Sequence, residues 1–272
     1  MKDDHSIAER ARRMQRLNYD MTSIWARQPL MIWVNGQMCS GIATITEMIC
    51  RHFGFDAIDL ELLVAEEIKM DTDRSKLIHE CIIKQEDIPE TFITDLIKEA
   101  LLRANRKNHG YVMARFPQNK KQATMFVKEI KNVNIIFFLY ADLANIMDRM
   151  RAFRNVGRID NIKKEMIQTK KKLLKVFKDY SKELEKVETN DEPDQVFLVV
   201  QQAILNRINM RSETQSLTED EETKTESTES KEKRKSEELS EKKDVSSSKM
   251  SSLKIKLSKQ HVKDEEKPST SA

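Results

Sequence analysis

Cysteine is scarce in this chain of 272 residues: Cys39, Cys50 and Cys81 are odd in number and far apart. That pattern argues against a disulfide framework and for a reducing compartment. No apolar run approaches the roughly 20 residues that span a bilayer. The opening "MKDDHSIAERARR" is charged where a secretory signal would be apolar. The expectation is a soluble, cytoplasmic protein with no membrane partner. A strong excess of one charge is missing as well. The formal charge is +3, whereas a protein devoted to nucleic acid carries a larger and patchier basic surplus. His52, His79 and His109 stand alone without metal-ligand spacing, so no metal site is expected.

Charge of both signs, by contrast, is plentiful at 34%, the mark of a globular part joined to a solvated tail. From about Arg211 the chain is Ser, Thr, Glu and Lys with almost no aromatic or branched apolar residue. Such a segment cannot bury enough surface to offset its ordering entropy. Residues 211–272 are therefore expected to be disordered, the short alternation in "SSLKIKLSKQHVK" included. Residues 1–28 read as an N-terminal extension. "SIAERARRMQRLNYDMTSIWAR" suits an amphipathic helix with Ile7, Ala11, Met14 and Leu17 on one stripe. Both charged extensions are expected to meet protein partners.

Between them, residues 29–210 alternate strand and helix. "PLMIWVN", "FDAIDL", "GYVMARF" and the continuous apolar "VNIIFFLYA" read as strands, with a weak fifth near "EKVET". Helical stretches separate them, including a Lys-rich helix from about Asn161 to Glu185. This order implies a parallel five-stranded sheet covered on both faces, with ligands at the carboxyl ends of its strands.

At one such end lies "WVNGQMCSGIAT". A phosphate-binding loop reads G-x-x-x-x-G-K-[ST] between strand and helix: its glycines let backbone N–H groups curl around phosphate, and its lysine offsets phosphoryl charge. Here Gly36 and Gly41 are present, but Ile42 stands at the lysine position, and Gln37, Met38 and Cys39 are bulky. Cys39 near a helix N-terminus invites comparison with activated thiols, although an unreactive small residue is the expected reading.

The wider pattern resembles the adenylate kinase and UMP-CMP kinase family of nucleoside monophosphate kinases, in its short-lid form. Against the family's G-G-P-G-S-G-K-G-T, "GQMCSGIAT" keeps Gly36, Ser40, Gly41 and Thr44. "IDLELLV" is similar to S-T-G-D-L-L-R with Val64 in place of arginine, and "EDIPETF" keeps Ile88 and Pro89. "HGYVMARFPQNKKQATMF" is similar to K-G-F-L-I-D-G-Y-P-R-x-x-x-Q-x-x-x-F. It keeps Gly110, Pro117, Gln122 and Phe126, but Ala114 replaces the aspartate and Gln118 the arginine. "DRMRAFRNVGRIDN" is similar to the lid segment through Arg149, Gly157, Arg158 and Asp160, and Lys170 falls near a further family arginine. All five glycines (Gly36, Gly41, Gly54, Gly110 and Gly157) sit where the family tends to have one.

The resemblance spans roughly residues 30 to 208. It implies a P-loop-type α/β fold with a short lid and a helical monophosphate-binding subdomain. It makes Gly36, Ser40, Gly41, Thr44 and Arg158 the candidate nucleotide contacts, and Arg149, Arg158, Asp160 and Lys170 remnants of a catalytic set. With the loop lysine, the monophosphate arginine, the strand-three aspartate and the arginine after Pro117 gone, little turnover is expected; losing one transition-state donor alone costs ~10²–10³ in rate. The implied protein is a pseudokinase that binds ATP, with Mg²⁺, weakly and acts through binding or assembly. The alternatives are a divergent kinase moving phosphate from ATP to AMP or a related monophosphate, and a structural component without nucleotide. Arg51, Arg115 and Lys120 read as solvated surface charges, and the lysines of the long helix as its solvated face.

Overall fold

Five strands carry the apolar runs: β1 (Leu30–Gly36), β2 (Asp56–Asp59), β3 (Gly110–Ala114), β4 (Ile135–Tyr140) and β5 (Leu184–Glu188). In the computed structural model, which describes residues 6–104, 109–152 and 159–211, they form one sheet in the order β2-β3-β1-β4-β5. Every pairing is parallel. β1 and β3 are buried along their whole length, as strands covered on both faces must be. Each strand is followed by helix: α3 (Ile42–Phe53) after β1, α4 (Leu60–Ile68), α5 (Asp73–Lys84) and α6 (Glu90–Arg103) after β2, α7 (Lys120–Glu129) after β3, and α8 (Leu143–Ala152) and α9 (Ile159–Val176) after β4. A helix beginning at residue 193, α10, follows β5.

The two faces bury different side chains. Ile32, Val34 and Phe137 point with Ile45 and Ile49 of α3 and Val200 and Ile204 of α10 into one apolar layer. Trp33, Phe138 and Tyr111 point the other way, among residues of α5, α6 and α7. Trp33 anchors that layer through edge contacts with Phe116, Phe126 and Tyr180, each 5.4 Å between ring centres. The alternation along β1 therefore separates two cores with one strand. The chain goes from β1 to the β3 side and returns through α7 to β4 on the other side. β1 is thus the point where the winding reverses, and its carboxyl end opens a crevice.

The sheet and its helices up to Ile208 form one compact unit, and the chain divides from it at Asn209. The tail expected to be disordered lies, from residue 212, outside the described residues. The N-terminal extension belongs to the compact unit, but it is two short helices rather than one: α1 (Ile7–Arg13) and α2 (Thr22–Arg27). Ile7 and Ala11 are buried as expected, while Leu17 is 68% exposed. Helix stops because Met14 turns to extended backbone, and the chain then carries Arg16 across to Asp95 and Glu129. The Lys-rich helix also ends early, at Val176, passing into a 3-10 turn at Phe177–Tyr180. Residues near Glu185 are claimed by β5, whose Val187 is buried beside Leu139.

Candidate functional site

β1 hands its last two residues to the crevice. The Asn35 amide donates to the Pro117 carbonyl at 2.8 Å and accepts from the Gly36 N–H at 2.8 Å. A Cβ on Gly36 would run into the Leu139 carbonyl oxygen of β4 and the Ser40 hydroxyl, so the close approach of β4 demands this glycine. Gly41 has φ +87° at the start of α3, a left-handed conformation natural to glycine. Between them the bulky residues are folded inward. Gln37 is buried: its N–H donates to the Leu139 carbonyl at 3.0 Å, its side-chain oxygen accepts from the Ala141 N–H at 3.2 Å, and its amide nitrogen reaches the Met166 carbonyl at 3.4 Å. Met38 and Cys39 pack against the small apolar cluster formed by α8 and α9. The loop stays open because its large side chains have partners inside the protein.

In front of the loop lies a cleft of about 930 Å³. Gly36, Ser40, Gly41, Ile42 and Thr44 line it where β1 passes into α3; Arg115 lines it beyond β3 and Thr189 beyond β5, on opposite sides of β1, and Glu61, Gln118, Arg149, Thr169 and Lys172 line it as well. The first turn of α3 ends here with backbone donors that the helix itself leaves unpaired, an arrangement suited to anions. The Ser40 hydroxyl is taken by the Gln37 carbonyl at 2.7 Å, whereas Thr44 is exposed.

The cations differ in how free they are. Arg149 donates to the Cys39 carbonyl at 3.1 Å and the Thr189 hydroxyl at 3.4 Å, and also to the Thr189 carbonyl. It therefore clasps the phosphate loop to the end of β5. Arg115 pairs with Asp59 and, at 2.9 Å, with Glu61. Lys172 has no ion-pair or hydrogen-bond partner among the described residues. Burial pushes the Cys39 thiol up and Arg149 pulls it only partly back, so this cysteine is not primed as a thiolate.

Of the residues singled out in the sequence, Gly36, Ser40, Gly41, Thr44 and Arg149 meet in this cleft. Arg158 lies outside the described residues. Asp160 is exposed at the start of α9. Lys170 sits over the Tyr140 ring at 4.9 Å, outside the walls of the cleft, and Lys172 takes its place there. Arg51 pairs with Glu47, and Lys120 with Asp179 at 2.5 Å, both in solvent. Arg115 is a correction: it is half-buried in the cleft rather than solvated. Its signal was present as an arginine where the family motif has glycine. The altered positions also have structural occupations. Val64 and Ile42 are half-buried against the cores, and Ala114 is fully buried.

A parallel sheet whose glycine-bounded loop joins β1 to α3 at the reversal of strand order defines a P-loop kinase-like fold. No family model matches the chain. Its homologues are adenylate kinases and UMP-CMP kinases at modest identity, which relates it to the nucleoside monophosphate kinase family. UMP-CMP kinase 1 of Oryza sativa is 29% identical over 188 residues, 66% of this chain and 75% of that protein. Adenylate kinase isoenzyme 1 of Cyprinus carpio is 25% identical over 181 residues, 64% of this chain and 93% of that protein. The similarity to mouse adenylate kinase isoenzyme 5, 23% over 185 residues, spans only 33% of that longer protein. Among the described residues no helix is long and apolar enough to cross a membrane.

Proposed function

We propose that this chain is a nucleotide-binding module on a nucleoside monophosphate kinase fold, with little or no phosphotransfer activity. The observation that carries the proposal is the contrast within one loop. Gly36 and Gly41 keep the backbone in the shape of a phosphate cradle, while the next residue, Ile42, packs partly into the core. Backbone donors at a helix N-terminus can hold phosphate without help. They cannot follow charge onto the transferring group, which is what a loop lysine adds.

The fit of the family's usual ligands differs between its parts. The loop side of the cleft suits the phosphates of ATP, held by the backbone around Gly41 and the Thr44 hydroxyl. Mg²⁺ fits less well: among the described residues no three His, Cys, Asp or Glu side chains gather to hold a metal, and Ala114 offers no ligand. A metal would have to arrive on the nucleotide.

A working kinase is the second reading, and Lys172 favours it, because an ammonium that lines the cleft and has no partner among the described residues can serve as a phosphate counter-charge. Calorimetric titration with Mg²⁺-ATP and, separately, AMP, followed by a phosphotransfer assay with both present, distinguishes the readings. The proposal expects ATP to bind and phosphotransfer to stay near background. Turnover that Lys172→Ala abolishes would establish the kinase reading instead, and no heat with either nucleotide would leave the fold as architecture.

A further inference from the structure

Arg115 has the least ordinary setting of any cation in the cleft. It follows β3 with φ 58°, in the left-handed region where a long side chain is disfavoured and where the family motif has glycine. Strained residues of this kind tend to be held in place for a function. Its backbone N–H donates to the Val34 carbonyl of β1 at 2.8 Å, so the position is locked to the centre of the sheet.

Its two partners are unequal. Asp59 is built in: one oxygen takes the Arg115 Nη1, and the other accepts the Glu61 N–H at 3.0 Å as the N-cap of α4. Its side chain is only 16% exposed. Glu61 meets the Arg115 Nε at 2.9 Å, yet its own side chain is 65% exposed. An ion pair with one partner so open to water holds weakly. A guanidinium, though, is suited to bidentate contact with phosphate. Glu61 and Arg115 line the same cleft as the phosphate loop, at the β2 and β3 ends on one side of β1, whereas Arg149 is bound to Thr189 beyond β5 on the other side.

We propose that Arg115 is an anion-binding residue of this cleft and Glu61 its displaceable occupant, so that a phosphate monoester binds by taking the place of the Glu61 carboxylate. Asp59 keeps the guanidinium aimed while Glu61 leaves. This recovers, from a new position, a cation that Val64 and Gln118 no longer supply. It also explains how the cleft keeps its arginine satisfied until an anion arrives. The inference rests on the reading of the cleft as a nucleotide site, but it concerns the half away from the loop.

The test is titration of the full chain with inorganic phosphate, AMP and adenosine at low salt, in the wild type, Glu61→Gln, Arg115→Gly and the double variant. Glycine suits φ 58°, so the Arg115→Gly protein is expected to fold, and thermal melting of each variant checks it. Glu61→Gln should bind phosphate and AMP about threefold to fivefold more tightly, the scale of one released exposed ion pair. Adenosine should be unaffected, and Arg115→Gly should abolish both the binding and the gain. An unchanged affinity in Glu61→Gln, or a gain that survives in the double variant, would overturn the proposal. ATP titrated into Arg115→Gly reads the loop separately. If ATP binds there while Glu61→Gln changes nothing in the protein that keeps Arg115, the exchange is wrong and the loop reading stands. If the Glu61 effect is present but ATP does not bind, the exchange stands and the loop reading is wrong.

Discussion

The N-terminal strap and the phosphate loop use charge in opposite ways. Residues between Ile7 and Gln28 cross α5, α6 and α7, and ion pairs fasten them. Arg16 grips Asp95 at 2.5 Å and Glu129 at 3.0 Å, and Lys98 joins the same glutamate at 2.6 Å. Tyr19 donates to Glu99 at 2.6 Å, and Arg74 bridges Glu99 to Glu67 of α4, both at 2.8 Å. Across the sheet, the loop from Gly36 to Gly41 is held by backbone hydrogen bonds, two glycines and the folded-in Gln37, and the one cation bound to it among the described residues, Arg149, meets a carbonyl rather than a carboxylate. The charges expected near a nucleotide are absent at Ile42, Val64 and Ala114, while charge remains dense where it binds helices together. One region is fastened by ion pairs between helices, the other mainly by backbone geometry.

If the loop is a backbone construction, one added carbon should damage it more than any lost charge. Gly36→Ala puts a methyl against the Leu139 carbonyl of the neighbouring strand, and two central strands cannot easily part. Overpacking costs about 1–3 kcal/mol where side chains can yield, and here the obstacle is backbone, so a loss near 3 kcal/mol is expected. Urea denaturation measures it. A nearly unchanged midpoint would show that β1 and β4 are less tightly coupled than their register implies.

The strap should show the reverse sensitivity. Arg16→Ala leaves the Asp95 carboxylate, whose side chain is 6% exposed, without its partner. Breaking a fully buried pair costs about 3–5 kcal/mol; Arg16 is itself about one-third exposed, so about 2–3 kcal/mol is expected by the same denaturation. Acid should act on the same place. The Arg16 hydrogen bond, with Lys98 added and burial opposing, lowers Glu129 from its ordinary 4.5 to about 2. Arg74 likewise holds Glu67 down; for Glu99 burial pushes upward most strongly of any single cause, but the hydrogen bonds from Arg74 and Tyr19 together with the Arg74 and Arg103 charges outweigh it. A depressed folded value means the stabilisation is complete above pH 4.5 and drains away as pH falls towards 2. Melting temperature should therefore decline through that window in the wild type and less steeply in Arg16→Ala. Parallel pH profiles for the two proteins would detach the strap from acid stability.

What the sequence discloses follows the same division. Apolar periodicity identifies the five strands, and the two glycines locate the crevice, because each depends on local pattern. The strap is harder. Ile7 and Ala11 mark a helix correctly, but past Met14 the chain is fastened by Arg16 to residues about eighty and more than a hundred positions away, which no local window contains. Arg115 misleads for a related reason. Its side chain can be placed only by knowing that β2 ends beside β3 and brings Asp59 next to it. Lys170 and Lys172 are two residues apart on α9, so the choice of which one faces the cleft turns on helix phase, and a motif match alone does not settle it.

Restoring a charge to the loop is the gentlest way to sharpen the contrast. Ile42→Lys adds an ammonium at the opening of α3, beside the backbone donors and lining the cleft. A hydrogen bond to a charged group contributes about 1.5–3 kcal/mol. Much of this is lost to ordering the lysine and to the exposed edge of the cleft, so roughly tenfold tighter ATP binding is expected, or about 1.4 kcal/mol. The half-buried isoleucine also packs against the core beneath it, so a small drop in melting temperature should accompany the gain. Calorimetry of the variant against wild type gives both constants. Equal affinities would mean that the loop, though open in shape, does not present its donors to phosphate, and the kinship with nucleotide kinases would then describe the architecture alone. A tenfold gain without phosphotransfer would place the remaining catalytic deficit beyond the loop, at Val64, Ala114 and Gln118.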